Sequence, residues 1–112
     1  MLKYSFNNYN LDNQEILNNL LYKLHSEFPF SDIYNVSEPV DIKTHTHSDI
    51  ESRLFLTGYA IFNIDGTEIS CCPGTYVCID ANIPHSFSYS GGEPLKVIRF
   101  FKNNKTWKAD FA

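Results

Sequence analysis

His45 and His47 stand two residues apart, Glu51 follows four residues later, and His85 lies further down the chain. Three imidazoles and one carboxylate are a donor set for a borderline divalent ion such as Fe(II), Ni(II), Mn(II) or Zn(II). Four protein ligands on a six-coordinate ion leave two neighbouring positions, enough to chelate a small molecule through two oxygens. Arg53, two residues after Glu51, adds a guanidinium whose planar donors suit a carboxylate or an anionic ligand.

These residues need strands to aim them. On a strand, side chains two apart share a face, so His45 pairs with His47, and Glu51 with Arg53. Such a polar face is costly to bury without a purpose. The chain after Pro29 reads as short strands near 32–36, 40–47, 52–57, 59–64, 67–72, 75–79, 85–90 and 95–101. Asp65-Gly66, between two apolar alternating runs, predicts a two-residue hairpin. Pro73-Gly74 and Gly91-Gly92 mark two further turns. Eight short strands with few helical intervals predict an all-β barrel or jelly roll.

One helix is expected, over about 12–28. Leu17, Leu20, Leu21, Leu24 and Phe28 fall on one side at helical spacing, with Asn18, Asn19 and Lys23 opposite. Asp12 and Glu15 suggest a capping box, and Pro29 stops the helix. The stripe is read as packing against the barrel, and 1–112 as a single domain: a helix at about 12–28 and a barrel at about 32–107.

At 112 residues, with 43% hydrophobic and 15% aromatic residues, the chain can bury one modest core. Nine basic and thirteen acidic residues give a net charge of −4, and no basic stripe is present, which argues against nucleic acid as a partner. No apolar run suggests a leader or a membrane span, so a soluble cytoplasmic protein is expected. Cys71, Cys72 and Cys78 lack metal-finger spacing and are read as buried, inert thiols, the adjacent pair pointing to opposite faces.

Together these spacings resemble the cupin motifs. His45, His47, Glu51 and Gly58 fit the first motif, and Gly74 and His85 fit the second. Fifteen residues separate Gly58 from Gly74, an intermotif length that the family commonly uses. Pro39 replaces a leading Gly, and Asp80, Asn82 and Tyr89 replace a Pro, a Gly and an Asn. Asn82 still tolerates a left-handed turn. A narrower similarity is to the acireductone dioxygenases. Residues His45 to Arg53 resemble their HxHxxxExR signature. Gly58, Phe62, His85-Ser86-Phe87, Lys96 to Phe101 and Trp107 fall at further family positions, so the similarity spans roughly 40–107. Asp41, Thr44 and Ala60 differ from the usual residues.

That resemblance implies a small cupin double-stranded β-helix, a jelly-roll barrel carrying one N-terminal helix. It implies one divalent metal, Fe(II) or Ni(II) first, with Mn, Co or Zn as alternatives, held by His45, His47, Glu51 and His85. It implies a dioxygenase of methionine salvage that takes O2 and a methylthio-substituted 1,2-dihydroxy-3-keto-pentene. With Fe(II) the products are formate and a 2-keto acid; with Ni(II) they include carbon monoxide. Arg53 would be the catalytic and substrate-contacting residue, and Phe62 and Phe87 an apolar wall for the substrate tail. The alternative is a metal cupin that acts on, or merely binds, a different oxygen-rich small molecule, with Asp41 and Thr44 shaping its pocket. A homodimer through exposed strand edges is a candidate assembly.

Simpler roles suit other residues. His25 is read as a surface histidine, Arg99 as a structural ion pair, and an Arg53 pairing with Glu51 or Glu68 as the plain alternative to substrate contact. Phe100, Phe101, Trp107, Tyr59 and Tyr89 are read as core.

Overall fold

The apolar stripe and its stop signal form the helix α1, Gln14–Glu27. Pro29 disfavours helical backbone at Phe28, which is extended (φ −122°, ψ 96°) and donates its N–H to the Leu24 carbonyl. The cap is Asn13 and not Asp12: its side chain accepts the Ile16 N–H at 3.1 Å. That puts Glu15 in the first turn but one residue short of the capping-box position, so the expected box does not form.

The computed structural model describes residues 4–103 and 110–111. Ten strands accompany the helix: β1 (Tyr4–Asn8), β2 (Phe30–Val36), β3 (Val40–Thr46), β4 (Glu51–Thr57), β5 (Ala60–Ile64), β6 (Thr67–Cys71), β7 (Thr75–Ile79), β8 (His85–Tyr89), β9 (Leu95–Phe101) and β10 (Asp110–Phe111). They form two antiparallel sheets, ordered β1-β7-β4-β9-β2 and β10-β3-β8-β5-β6. This is the jelly-roll barrel that the strand spacing predicts. The strands β1 and β10 were not expected. Among the described residues, no helix is long and apolar enough to cross a membrane.

β4 shows how the sequence builds two cores. Five of its residues in succession are buried. Phe55 joins Phe62, Ile64, Val77, Ile79, Phe87 and Val97 inside the barrel. Leu54 points the other way, to Leu20, Leu24, Phe28, Tyr76 and Phe100 under the helix. Each full burial of a Leu or Phe contributes about 2 kcal/mol, so the helix is held by its stripe and not by its short length.

Turns follow the expected chemistry. Asp65 and Gly66 both have positive φ (50° and 87°), as a tight hairpin turn between β5 and β6 requires. Asn82 is left-handed at φ 64°. Gly74 must be glycine: its φ is 96°, and a Cβ there would collide with the Tyr9 carbonyl.

Of the thiols, Cys71 is buried inside the barrel, and burial pushes it up to about 12. Cys72 is exposed on the opposite face and Cys78 is half-buried, so inert burial holds for Cys71 alone. Tyr59 is 63% exposed and is no core residue, whereas Tyr89 is buried and donates its hydroxyl to the Glu93 carbonyl. Phe100 and Phe101 are buried; Trp107 lies outside the described residues.

Candidate metal centre

β3 does not run regularly to its histidines. Ile42 pairs with Phe87 and His45 with His85, which leaves Lys43 and Thr44 opposite the single residue Ser86. This extra residue is a β-bulge, and it switches the inward-facing parity. Val40 and Ile42 face the core before it, while His45 and His47 are buried after it. The bulge also presents the Lys43 carbonyl to the ring it re-aims: His45 Nδ1 donates to it at 2.8 Å.

The other two imidazoles are held in the same way. His47 Nδ1 donates to the Asp49 carbonyl at 2.9 Å, and His85 Nδ1 to the Ile83 carbonyl at 2.7 Å. A carbonyl has no proton to give, so every Nδ1 carries one, and each neutral ring turns a bare Nε2 inward. The ring centres lie 4.4 Å apart for His45 and His85, 4.9 Å for His47 and His85, and 5.7 Å for His45 and His47. The turn at Asn82 fixes one more point, its N–H donating to the His47 carbonyl at 2.8 Å.

Glu51 enters from the facing sheet at the start of β4. Its Oε1 lies 2.7 Å from His47 Nε2 and 3.3 Å from His85 Nε2, and its Oε2 accepts from Arg53 Nε at 2.9 Å. Burial alone would raise the Glu51 carboxyl. The Arg53 charge, the bond with His47 and the approach of His85 outweigh it and hold the group well below the usual carboxylate range. In His47, burial is likewise outweighed by Glu51, and the imidazole is raised; in His45 burial wins and lowers it.

One candidate ligand atom from each of His45, His47, Glu51 and His85 lies within 4.8 Å of the others, and all four residues are buried. His85 Nε2 is buried without a hydrogen bond, at 3.3 Å from a carboxylate oxygen with no bonding geometry. A buried acceptor facing an anion lacks a cation between them, and a divalent ion supplies one. The donor set and this orphaned atom fit such an ion.

Around the cluster, Phe62 and Phe87 are almost fully buried and pack on each other at 4.8 Å. Both also border Arg53, with its guanidinium carbon 5.7 and 5.4 Å from their ring centres. Arg99 is forked onto Asp32 at 2.6 and 2.7 Å, the structural ion pair expected of it. His25 is exposed and rests edge-on against Phe100. Asp41 and Thr44 are exposed, and Asp41 bonds Lys43 on the outer face, so neither lies among the buried residues of the cluster. The bulge and the three carbonyl acceptors are absent from the sequence expectation. The switch from positions 40 and 42 to 45 and 47 was the available signal for the bulge.

A two-sheet jelly roll around three histidines and a glutamate defines a cupin with a site that can hold a divalent metal. Solved structures agree on the fold: an acireductone dioxygenase from Bacillus anthracis with cadmium in its active centre superposes with a TM-score of 0.74 at 14% identity, covering 96% of this chain and 83% of that one. A cupin 2 domain-containing protein from Halorhodospira halophila gives 0.64 at 16% identity, over 73% and 57% of the two chains. The chain belongs to the ARD/ARD' family, whose model matches residues 40–109. Curated acireductone dioxygenases share 39% identity over 75 residues (Alcanivorax borkumensis, 62% of this chain and 41% of that protein) and 36% over 93 residues (Leptospira biflexa, 80% and 51%). The chain thus spans about half the length of these relatives.

Proposed function

We propose that this protein is a metal-dependent dioxygenase of the acireductone type. Its substrate would be 1,2-dihydroxy-3-keto-5-methylthiopentene, cleaved with O2 to formate and a 2-keto acid. The observation that carries this reading is the buried cluster of three Nε2 atoms and Glu51 Oε1, in a chain of the ARD/ARD' family. His45, His47, Glu51 and His85 are the proposed ligands, with Fe(II) or Ni(II) as the proposed ion. A bound ion supplies Lewis-acid polarisation and a template on which an anionic substrate and O2 meet.

The chain's own residues supply the rest. The three Nδ1–H groups are committed to backbone carbonyls, so the rings neither rotate nor exchange tautomers when a ligand enters. Glu51 and Arg53 cancel in charge, so a divalent ion leaves this part of the barrel with an excess of two positive charges. An enediolate offsets that excess far better than a neutral sugar or alcohol does. Arg53, anchored on Glu51 through Nε, would bring its positive charge to an oxyanion, and Phe62 and Phe87 would give the methylthio tail an apolar wall. The aromatic lining also limits water beside a reactive anion.

The chain's span of about half its relatives favours one second reading: a metal cupin that turns over, or only binds, a different oxygen-rich small molecule. Protein reconstituted with Fe(II) and supplied with acireductone separates the two. Substrate loss with formate release supports the first; a bound stoichiometric metal without turnover supports the second.

A further inference from the structure

We propose that Tyr34, on β2, is a positioning residue for Arg53: its ring is a wall shared by the chain's two arginines. The inference deepens the proposed function, because Arg53 is its candidate substrate contact, but it does not depend on which substrate is bound.

The sequence contains two arginines, Arg53 and Arg99. They are direct cross-strand partners on β4 and β9. Like charges at such positions repel and destabilise a sheet. Tyr34, on the strand beyond β9, packs against both. Its ring centre is 5.7 Å from the Arg53 guanidinium carbon and 5.4 Å from that of Arg99, within cation–π range of both.

Each guanidinium is also drawn to its own carboxylate. Asp32, two residues before Tyr34 on the same strand, takes Arg99 in a fork; Glu51 takes Arg53 Nε. β2 therefore contributes two things to one face, an anion that holds Arg99 and a ring that packs against Arg53. Among the described residues, Phe62 and Phe87 border it as well, so three rings stand against Arg53. Replacing the phenol by an aliphatic side chain removes a ring face from both cations and opens rotamers that take Arg53 off Glu51 Oε2. β2 lies outside the residues 40–109 matched by the family model, so this part of the site belongs to the chain beyond that match.

The test reads the arginine Nε–Hε resonances of the metal-free, full-length chain by NMR. Two are expected, and Arg53→Lys assigns them. In Tyr34→Leu, Arg53 Hε should exchange with solvent at least about fivefold faster, and in Tyr34→Phe it should match the parent protein. In the metal-loaded protein, KM for the acireductone should rise about threefold in Tyr34→Leu and stay unchanged in Tyr34→Phe. Unchanged Arg53 exchange in Tyr34→Leu overturns the proposal whether or not the protein turns over. So does a response of Arg99 alone, which would confine Tyr34 to the Asp32–Arg99 pair. Faster Arg53 exchange in a protein with no acireductone turnover upholds the positioning role and removes the dioxygenase reading. Should Tyr34→Leu fail to fold, Tyr34→Met is judged by the same exchange criterion.

Discussion

His47 Nε2 and Glu51 Oε1 face each other at 2.7 Å inside the barrel, while the far edge of the same imidazole donates its Nδ1–H to the Asp49 carbonyl. A neutral His47 would set a lone pair against a carboxylate. The metal-free site therefore favours a second proton on His47, which raises it, and a ligand metal must displace that proton.

Metal binding should release about one proton near neutral pH, and affinity should climb as pH rises through the raised value of His47. Calorimetry in buffers of different ionisation enthalpy counts the proton; a release of zero contradicts the account. Stability of the metal-free protein carries the opposite sign for this group. Its His47 contribution is complete below about 6.5 and is lost as pH rises through the raised folded value. The Glu51 contribution is present above about 4.5 and is lost as pH falls through its depressed folded value. Thermal melts against pH should show a mildly acidic plateau without metal and a shift of that plateau to higher pH with it.

Glu51→Gln and His85→Ala should each empty or loosen the site, lowering metal affinity by roughly a hundredfold or more. Glu51→Gln carries a second penalty, because it leaves the buried Arg53 without its anion, at about 3 kcal/mol of stability. Elemental analysis and a melt read the two effects separately. Full occupancy in either variant would remove that residue from the ligand set.

Arg53→Ala should cut turnover by roughly tenfold or more while metal content stays normal, since Arg53 is not one of the four candidate ligands. Single-turnover assays on protein of measured metal content test this. Equal activity would remove Arg53 from the mechanism.

Deleting Thr44 should weaken metal binding roughly tenfold without abolishing it: His45 and His47 then continue the parity of Val40 and Ile42 and still face inward, but the bulge that sets the Lys43 carbonyl against His45 Nδ1 is lost. Lys43→Ala should keep it: the group that holds His45 is a backbone carbonyl, and the Lys43 side chain makes only an exposed pair with Asp41. Metal titration of the two variants decides; an unchanged affinity in the deletion would deny the bulge its role.

The legible parts of this molecule are those written in side chains. The stripe from Leu17 to Phe28 gives the helix, the Asp65-Gly66 pair gives its hairpin, and the strand alternation gives the barrel. The spacing of His45, His47, Glu51 and His85 was enough to bring them to one candidate site. The rest depends on backbone. β1 is a short, largely exposed edge strand held by its ladder with β7, and the alternation of Tyr4-Ser5-Phe6-Asn7 is too brief to announce it. The Nδ1 acceptors are carbonyls of Lys43, Asp49 and Ile83, whose side chains are irrelevant to the bond. Tyr34 reaches Arg53 through strand order, since β2 and β4 both pair with β9, a neighbourhood no local pattern encodes.

The most direct test is aerobic consumption of synthetic acireductone by the protein reconstituted separately with Fe(II) and Ni(II), with His85→Ala beside it. The account predicts rapid, metal-dependent loss that the variant lacks, with formate among the products of the Fe(II) form. No turnover despite one tightly bound metal per chain would contradict it, leaving a cupin metal site that serves another ligand.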